Sequence, residues 1–97
     1  MTVRIRPSAQ RDLAEIKTWY DEARAGLGGQ FLDEFEKATR QVRTFPLAGR
    51  IVYREYRCAK VHRFPYLIFY LLETDAVVIA AVIHQHRDPG VWKSRVR

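Results

Sequence analysis

Two apolar runs dominate the pattern of this chain, Tyr66–Leu72 and Ala76–Ile83, joined by the polar break Glu73-Thr74-Asp75. Both are rich in β-branched and aromatic residues and too short to span a membrane, so they read as adjacent antiparallel strands. In the first run both parities are apolar: Tyr66, Ile68, Tyr70 and Leu72 alternate with Leu67, Phe69 and Leu71. A strand of that kind is covered on both faces and lies centrally in its sheet. Near the start, Thr2–Arg6 alternates Val3 and Ile5 with polar residues, the mark of a half-exposed strand. Pro7 stops it, and Ser8 is the expected N-cap of the next element.

The period then changes. Over residues 9–25, Ala9, Leu13, Ile16, Tyr20 and Ala23 trace one helical stripe, and Gly26 fits a C-terminal stop. Leu27-Gly28-Gly29 reads as a tight connection to a second helix over residues 30–44. Its stripe is Phe31, Phe35, Ala38, Val42 and Phe45, and Pro46 ends it. Helices joined so briefly pack antiparallel. Their aromatic stripe exceeds what they can bury against each other, so it is expected to cover one face of the sheet. Val52–Arg63 alternates less cleanly; its second half is expected to form a strand before a Phe64-Pro65 turn. Pro89 starts a short terminal helix or turn with Val91, Trp92 and Arg95 on one side. The predicted order is β-α-α-β-β-β, an α+β fold with a helical hairpin packed on a small antiparallel sheet in one domain spanning residues 1–97.

Charge adds a partner to this picture. The formal net charge is +6, which suits an anionic partner such as a nucleic acid, a ribonucleoprotein or an acidic protein segment, or serves solubility alone. Residues 1–49 hold eight Lys/Arg against seven acids, whereas residues 50–97 hold nine against four. One dense window is Arg40, Arg43, Arg50, Arg54, Arg57, Lys60 and Arg63, opposed only by Glu55. A second closes the chain with Arg87, Lys93, Arg95 and Arg97. Tyr53, Tyr56 and Trp92 interleave with these cations, as on surfaces that bind nucleic acid; the alternative is a solvated face whose arginine stems cover apolar surface. The clusters would merge if their strands were neighbours or if the C-terminal tail folded back over the sheet.

Candidate chemistry is sparse. The single cysteine, Cys58, excludes an internal disulfide and sits in an expected strand, where a small buried hydrophobe is its natural role. His84 and His86 have the spacing of two metal ligands on one side of a strand, but the only other histidine is His62 and the only near carboxylate is Asp88. No metal or cofactor is called for. Glycine-rich phosphate loops and nucleophile elbows are absent. General acid–base cleavage of RNA is a stronger possibility. His84 or His86 would supply a group titrating in the useful range, and Lys60, Arg63 and Arg87 would stabilise developing charge. The N-terminus has no apolar signal segment, and the expected location is a reducing cytoplasm with no membrane contact.

Three features carry a resemblance to the ParE/RelE superfamily of bacterial type II toxins: the order of elements; Arg63, Phe64, Pro65, Tyr66, Ile68 and Tyr70 in an R-F-P-Y-x-I-x-Y run preceded by Lys60; and the ending His84-x-x-Arg87-Asp88-Pro89-x-x-Trp92. The resemblance implies a plasmid-stabilisation or chromosomal toxin neutralised by a cognate antitoxin, whose disordered segment folds over it as helix and strand. RelE-like members cut mRNA in the ribosomal A site with Lys, Arg and a C-terminal Tyr or His, while ParE-like members poison DNA gyrase and lack that set. RelE-like nucleases usually carry Arg after the tyrosine that opens the central strand, and this chain has Leu67 there. They commonly end in a catalytic Tyr, and this chain has Trp92 with no tyrosine beyond Tyr70. Both departures favour the ParE-like branch, a gyrase inhibitor without chemistry of its own. The contact would then comprise Arg57, Lys60, Arg63, His86, Arg87, Trp92 and Arg95, within a basic strand and an Arg87–Arg97 tail. The alternative is a ribosome-dependent mRNA endonuclease using Lys60, Arg63, His84, His86 and Arg87.

Overall fold

A computed structural model describes residues 1–96. The elements are β1 (Thr2–Ile5), α1 (Pro7–Ala23), α2 (Leu27–Thr44), β2 (Arg50–Tyr53), β3 (Tyr56–Lys60), β4 (Tyr66–Leu72), β5 (Ala76–His84) and α3 (Pro89–Arg95). The five strands form one sheet in the order β1-β5-β4-β3-β2. β4 lies in the middle, as its two apolar parities require. The sheet is mixed rather than antiparallel: β1 pairs parallel with β5, Thr2 opposite Ala76 and Ile5 opposite Ile79. After the helices the chain re-enters at the far edge and zigzags back, so the last strand reaches the first.

Helix boundaries depart from the sequence pattern for local reasons. Arg6, not Ser8, is the N-cap of α1, because Pro7 at the first helical position already has a suitable φ and no N–H to satisfy. The Ser8 hydroxyl instead donates to Ala80 O at 3.3 Å. α1 stops at Ala23, and Gly26, with φ 88°, is the N-cap of α2, which begins at Leu27 instead of Gln30. Gly28 is thus helical, and the helices touch there. A Cβ on Gly28 would lie 2.7 Å from Asp21 Oδ1, which itself accepts the Gly28 N–H at 2.7 Å. Asp21 thereby satisfies one of the free N–H groups at the start of α2. The hydrogen bonds from Lys17 and from the Gly28 backbone hold its carboxyl below the usual range. α2 ends at Thr44, so Phe45 leaves the apolar stripe and is exposed.

The segment before the central strands holds two strands, not one. β2 and β3 form a tight hairpin through Arg54-Glu55, with Arg54 in the left-handed region at φ 53°. Ile51 faces Arg57, and a register shift follows before Tyr53 opposite Tyr56. β5 carries the second irregularity. Phe69 pairs with Ala81 and Tyr70 with Ile79, leaving Ala80 as an extra residue.

Two cores result. On the helical face, Ala9, Ile16, Phe31, Phe35 and Val42 pack on Phe64, Ile68, Tyr70, Val77, Ile79 and Val82. Its centre is aromatic: Phe31 meets Phe64 edge-on at 5.3 Å, and Tyr20 meets Phe64 at 5.0 Å. On the other face, Tyr56, Phe69, Ala80, Ala81, Ile83 and Val96 form a smaller cluster, with Leu67, Leu71 and Trp92 against it. That face is roofed by the short α3.

Candidate functional site

The register of β4 positions the residues that bear chemistry. Its first residue, Tyr66, pairs with His84, and its second, Leu67, lies between Ile83 on β5 and Lys60 on β3. Lys60 and the end of β5 therefore occupy the same end of the strands, separated by β4, roughly 9–10 Å at two inter-strand spacings. They do not share a side. Paired residues project together, so Lys60 goes with Leu67 to the α3 face and His84 goes with Tyr66 to the helical face. Alternation alone would put His84 with Leu67; the extra Ala80 reverses it.

His84 is half-buried, and its ring meets that of Tyr66 edge-on at 5.3 Å. Its Nδ1 accepts the His86 N–H at 3.1 Å, which leaves Nε2 as the proton-bearing nitrogen of the neutral ring. The strand ends at His84, so His86 sits in an exposed turn with its ring centre 5.4 Å from that of His84. Arg87 is exposed, and its backbone N–H returns to His84 O at 3.0 Å. Burial pushes the Tyr66 hydroxyl up, and the Arg87 charge partly opposes this. Tyr66, His84 and Arg87 border a cleft of about 200 Å³ with Asp12 and Glu15 from α1 and Arg95 from α3.

Asp12 organises that cleft, a role its position on a charged helix face did not announce. β1 pairs with β5 only as far as Ile79, which leaves the next N–H groups of β5 without a strand partner. The Asp12 carboxylate accepts the Val82 N–H at 3.0 Å and pairs with Arg95 at 2.8 Å, and it is only 13% exposed. One side chain thus holds α1, β5 and α3 together.

The remaining candidates divide into tethered and free. Arg57 donates to Gly49 O at 2.7 Å and to Leu47 O at 3.3 Å, which pins the loop before β2. Arg63, at φ 73°, donates to Gln30 Oε1 at 3.2 Å. Trp92 stacks on Phe69 at 4.8 Å and 19°, and Arg95 is held by Asp12. Lys60, His86 and Arg87 are exposed and make no ion pair among the described residues. Arg97 lies outside the described residues. The structure therefore brings His84, His86 and Arg87 together and keeps Lys60 and Arg63 apart from them. No three His, Cys, Asp or Glu side chains among the described residues are grouped as metal ligands would be. Burial raises the Cys58 thiol above its ordinary value, which disfavours the thiolate.

A larger hollow of about 530 Å³ separates the C-terminal half of α2 from β3, bordered by Glu34, Lys37, Val42, Phe45, Ala59 and His62. Beside it, Phe45, Leu47 and Ile51 are 58%, 68% and 58% exposed. β2 is an edge strand, with its second side unpaired.

No helix among the described residues is long and apolar enough to cross a membrane. No curated protein sequence matches the chain. Among solved structures it is similar to one described as the chromosomal ParDE TA system from P. aeruginosa, at 17% identity and a TM-score of 0.66, covering 87% of this chain and 95% of that one. That likeness shows the fold. The profile of the family described as "ParE toxin of type II toxin-antitoxin system, parDE" matches residues 3–89. The chain belongs to the ParE toxin family of type II toxin–antitoxin systems.

Proposed function

We propose that this toxin acts by binding DNA gyrase, without chemistry of its own, and that a cognate antitoxin neutralises it. The observation that carries this reading is the surrounding of Lys60. Its neighbour across the sheet is Leu67, followed by Ile83, and the aromatic residue of the C-terminal helix is Trp92, stacked into the second core. Cleavage of RNA needs a base, an acid and cations around one phosphate. Here Lys60 and His84 lie on opposite sides of the sheet, so of Lys60, Arg63 and Arg87 only Arg87 stands beside the histidines. The surface left for contact is Lys60, His86 and Arg87, with Arg57, Arg63, Trp92 and Arg95 shaping the backbone that presents them.

The antitoxin reading is supported by the hollow beside α2, the exposed Phe45, Leu47 and Ile51, and the open edge of β2. A disordered segment could lay an apolar helix face in the hollow and add a strand at that edge. The cytoplasm, where both gyrase and antitoxin are found, is the compartment this reading calls for.

Purified toxin incubated with gyrase and supercoiled plasmid tests the target. Inhibited supercoiling or an accumulated cleavage complex, abolished by the antitoxin, is the expected result. A second reading, ribosome-dependent mRNA cleavage, draws on His84 and His86, 5.4 Å apart beside Arg87. Codon-specific cuts in a translation extract, with gyrase unaffected, would replace the first reading by the second.

A further inference from the structure

The two layers of the molecule differ in charge. All seven acids of residues 1–49 lie on α1 and α2, where they outnumber five Lys/Arg: Asp12, Glu15, Asp21, Glu22, Asp33, Glu34 and Glu36. The opposite face of the sheet carries cations instead. Arg50 pairs with Cys58 and shares its side, and the Arg50 charge acts on the Cys58 thiol. At the other end of β2, α3 brings Lys93 over Tyr53, beside the hairpin turn. Lys93 Nζ lies 5.6 Å from the centre of the Tyr53 ring, and Arg54 Cζ lies 5.1 Å from the same centre.

This arrangement lacks an anion. Two like charges sit over one ring, and neither pairs with a carboxylate among the described residues. Glu55 adjoins Arg54 in the chain and is exposed, without an ion pair of its own. The rings are already engaged. Phe69 stacks on Trp92 at 4.8 Å, Lys93 lies 5.6 Å over Trp92, and Tyr53 meets Trp92 edge-on at 6.1 Å. The cations, not the aromatic faces, are what a ligand meets. Unstacked bases would require free ring faces, whereas a backbone of phosphates requires only positioned charge.

We propose that Arg54 and Lys93, mounted on Tyr53 and Trp92, together with Arg50 at the start of the same edge strand, bind the phosphodiester backbone of duplex nucleic acid directly and without regard to sequence. The proposal goes beyond the gyrase reading and does not rest on it, because the contact is with nucleic acid alone.

The test is anisotropy of a labelled DNA hairpin duplex titrated with purified toxin over 50–200 mM salt, without gyrase. An RNA hairpin and an unstructured single strand of equal length run in parallel, the hairpins separating the two sources of duplex phosphate. Log affinity is expected to fall linearly with log salt, by about 0.9 per phosphate neutralised. Arg54→Gln with Lys93→Gln is expected to lower that slope by about 2 and to weaken binding about tenfold or more for every duplex sequence. Arg11→Gln with Arg24→Gln, which removes the same charge from the helical layer, should leave both unchanged. Circular dichroism of each variant confirms the fold, and Arg50→Gln provides a third, singly charged step. Absence of duplex binding at 50 mM salt, tighter binding of the single strand, or equal losses in the two double variants would overturn the proposal.

Discussion

The two sides of β4 make a natural experiment in packing. One side places Tyr66, Ile68 and Tyr70 beneath two long helices, where Phe31, Ile68 and Tyr70 are fully buried. The other places Leu67, Phe69 and Leu71 beneath a seven-residue helix that is anchored by Trp92 and Val96. The same strand therefore faces a deep aromatic core on one side and a thin roof on the other. Stability belongs mainly to the first side. The second is covered by one short helix and bordered by cations, the condition of a region that opens locally before the rest.

Phe31→Ala should produce the largest effect, about 3–5 kcal/mol of lost stability in urea unfolding, because a fully buried ring leaves a cavity among Tyr20, Phe64 and Tyr66. Trp92→Ala should cost about 2 kcal/mol, since the ring is only half-buried. Its mark in hydrogen exchange should be local, confined to α3 and the strands beneath it. Equal costs for the two substitutions, or global exchange in Trp92→Ala, would remove the distinction between the faces.

Asp12 ties the two sides together, and its variants sharpen the comparison. Asp12→Ala leaves the buried Val82 N–H without an acceptor and should cost about 1–3 kcal/mol. Asp12→Asn keeps an acceptor but loses the charge that holds Arg95, and should cost about 1 kcal/mol or less. Thermal unfolding of the pair, repeated in an Arg95→Gln background, separates the two contributions.

The smallest effect concerns pH. Tyr20, Tyr66 and Tyr70 lie on the helical side, and burial raises each above the ordinary 10.0. In the unfolded chain they ionise first, so their contribution is complete below pH 10 and declines as pH rises toward the folded values. Urea midpoints should thus fall between pH 9 and pH 11, and Tyr20→Phe should flatten that decline. An unchanged midpoint would mean that these hydroxyls are hydrated in the folded state.

Much of the fold was legible because periodicity reports burial. The two parities of Tyr66–Leu72 located the centre of the sheet, and the stripes Ala9–Tyr20 and Phe31–Val42 located the helical hairpin. What escaped were features set by pairing rather than by local pattern. The parallel β1–β5 pair, the separate β2 strand and the extra Ala80 depend on which strands meet. The candidate site was legible as a residue list but not as an arrangement. Arg57, Arg63 and Arg95 read as free cations, yet Arg57 is held by carbonyls of the preceding loop, and Arg63 and Arg95 by an amide and a carboxylate distant in sequence. The Arg54–Tyr53–Lys93 grouping joins a hairpin turn to the last helix, and no spacing rule links residues that far apart.

Ala80 has a consequence out of proportion to its size. Like a single stitch added to a knitted row, it changes which side of the fabric every later loop shows. Because of it, the terminal imidazole surfaces on one side of the sheet and the β3 amine on the other, so these two groups do not meet over one phosphate. A chain one alanine different in its pairing could hold the same side chains and possess a different chemistry.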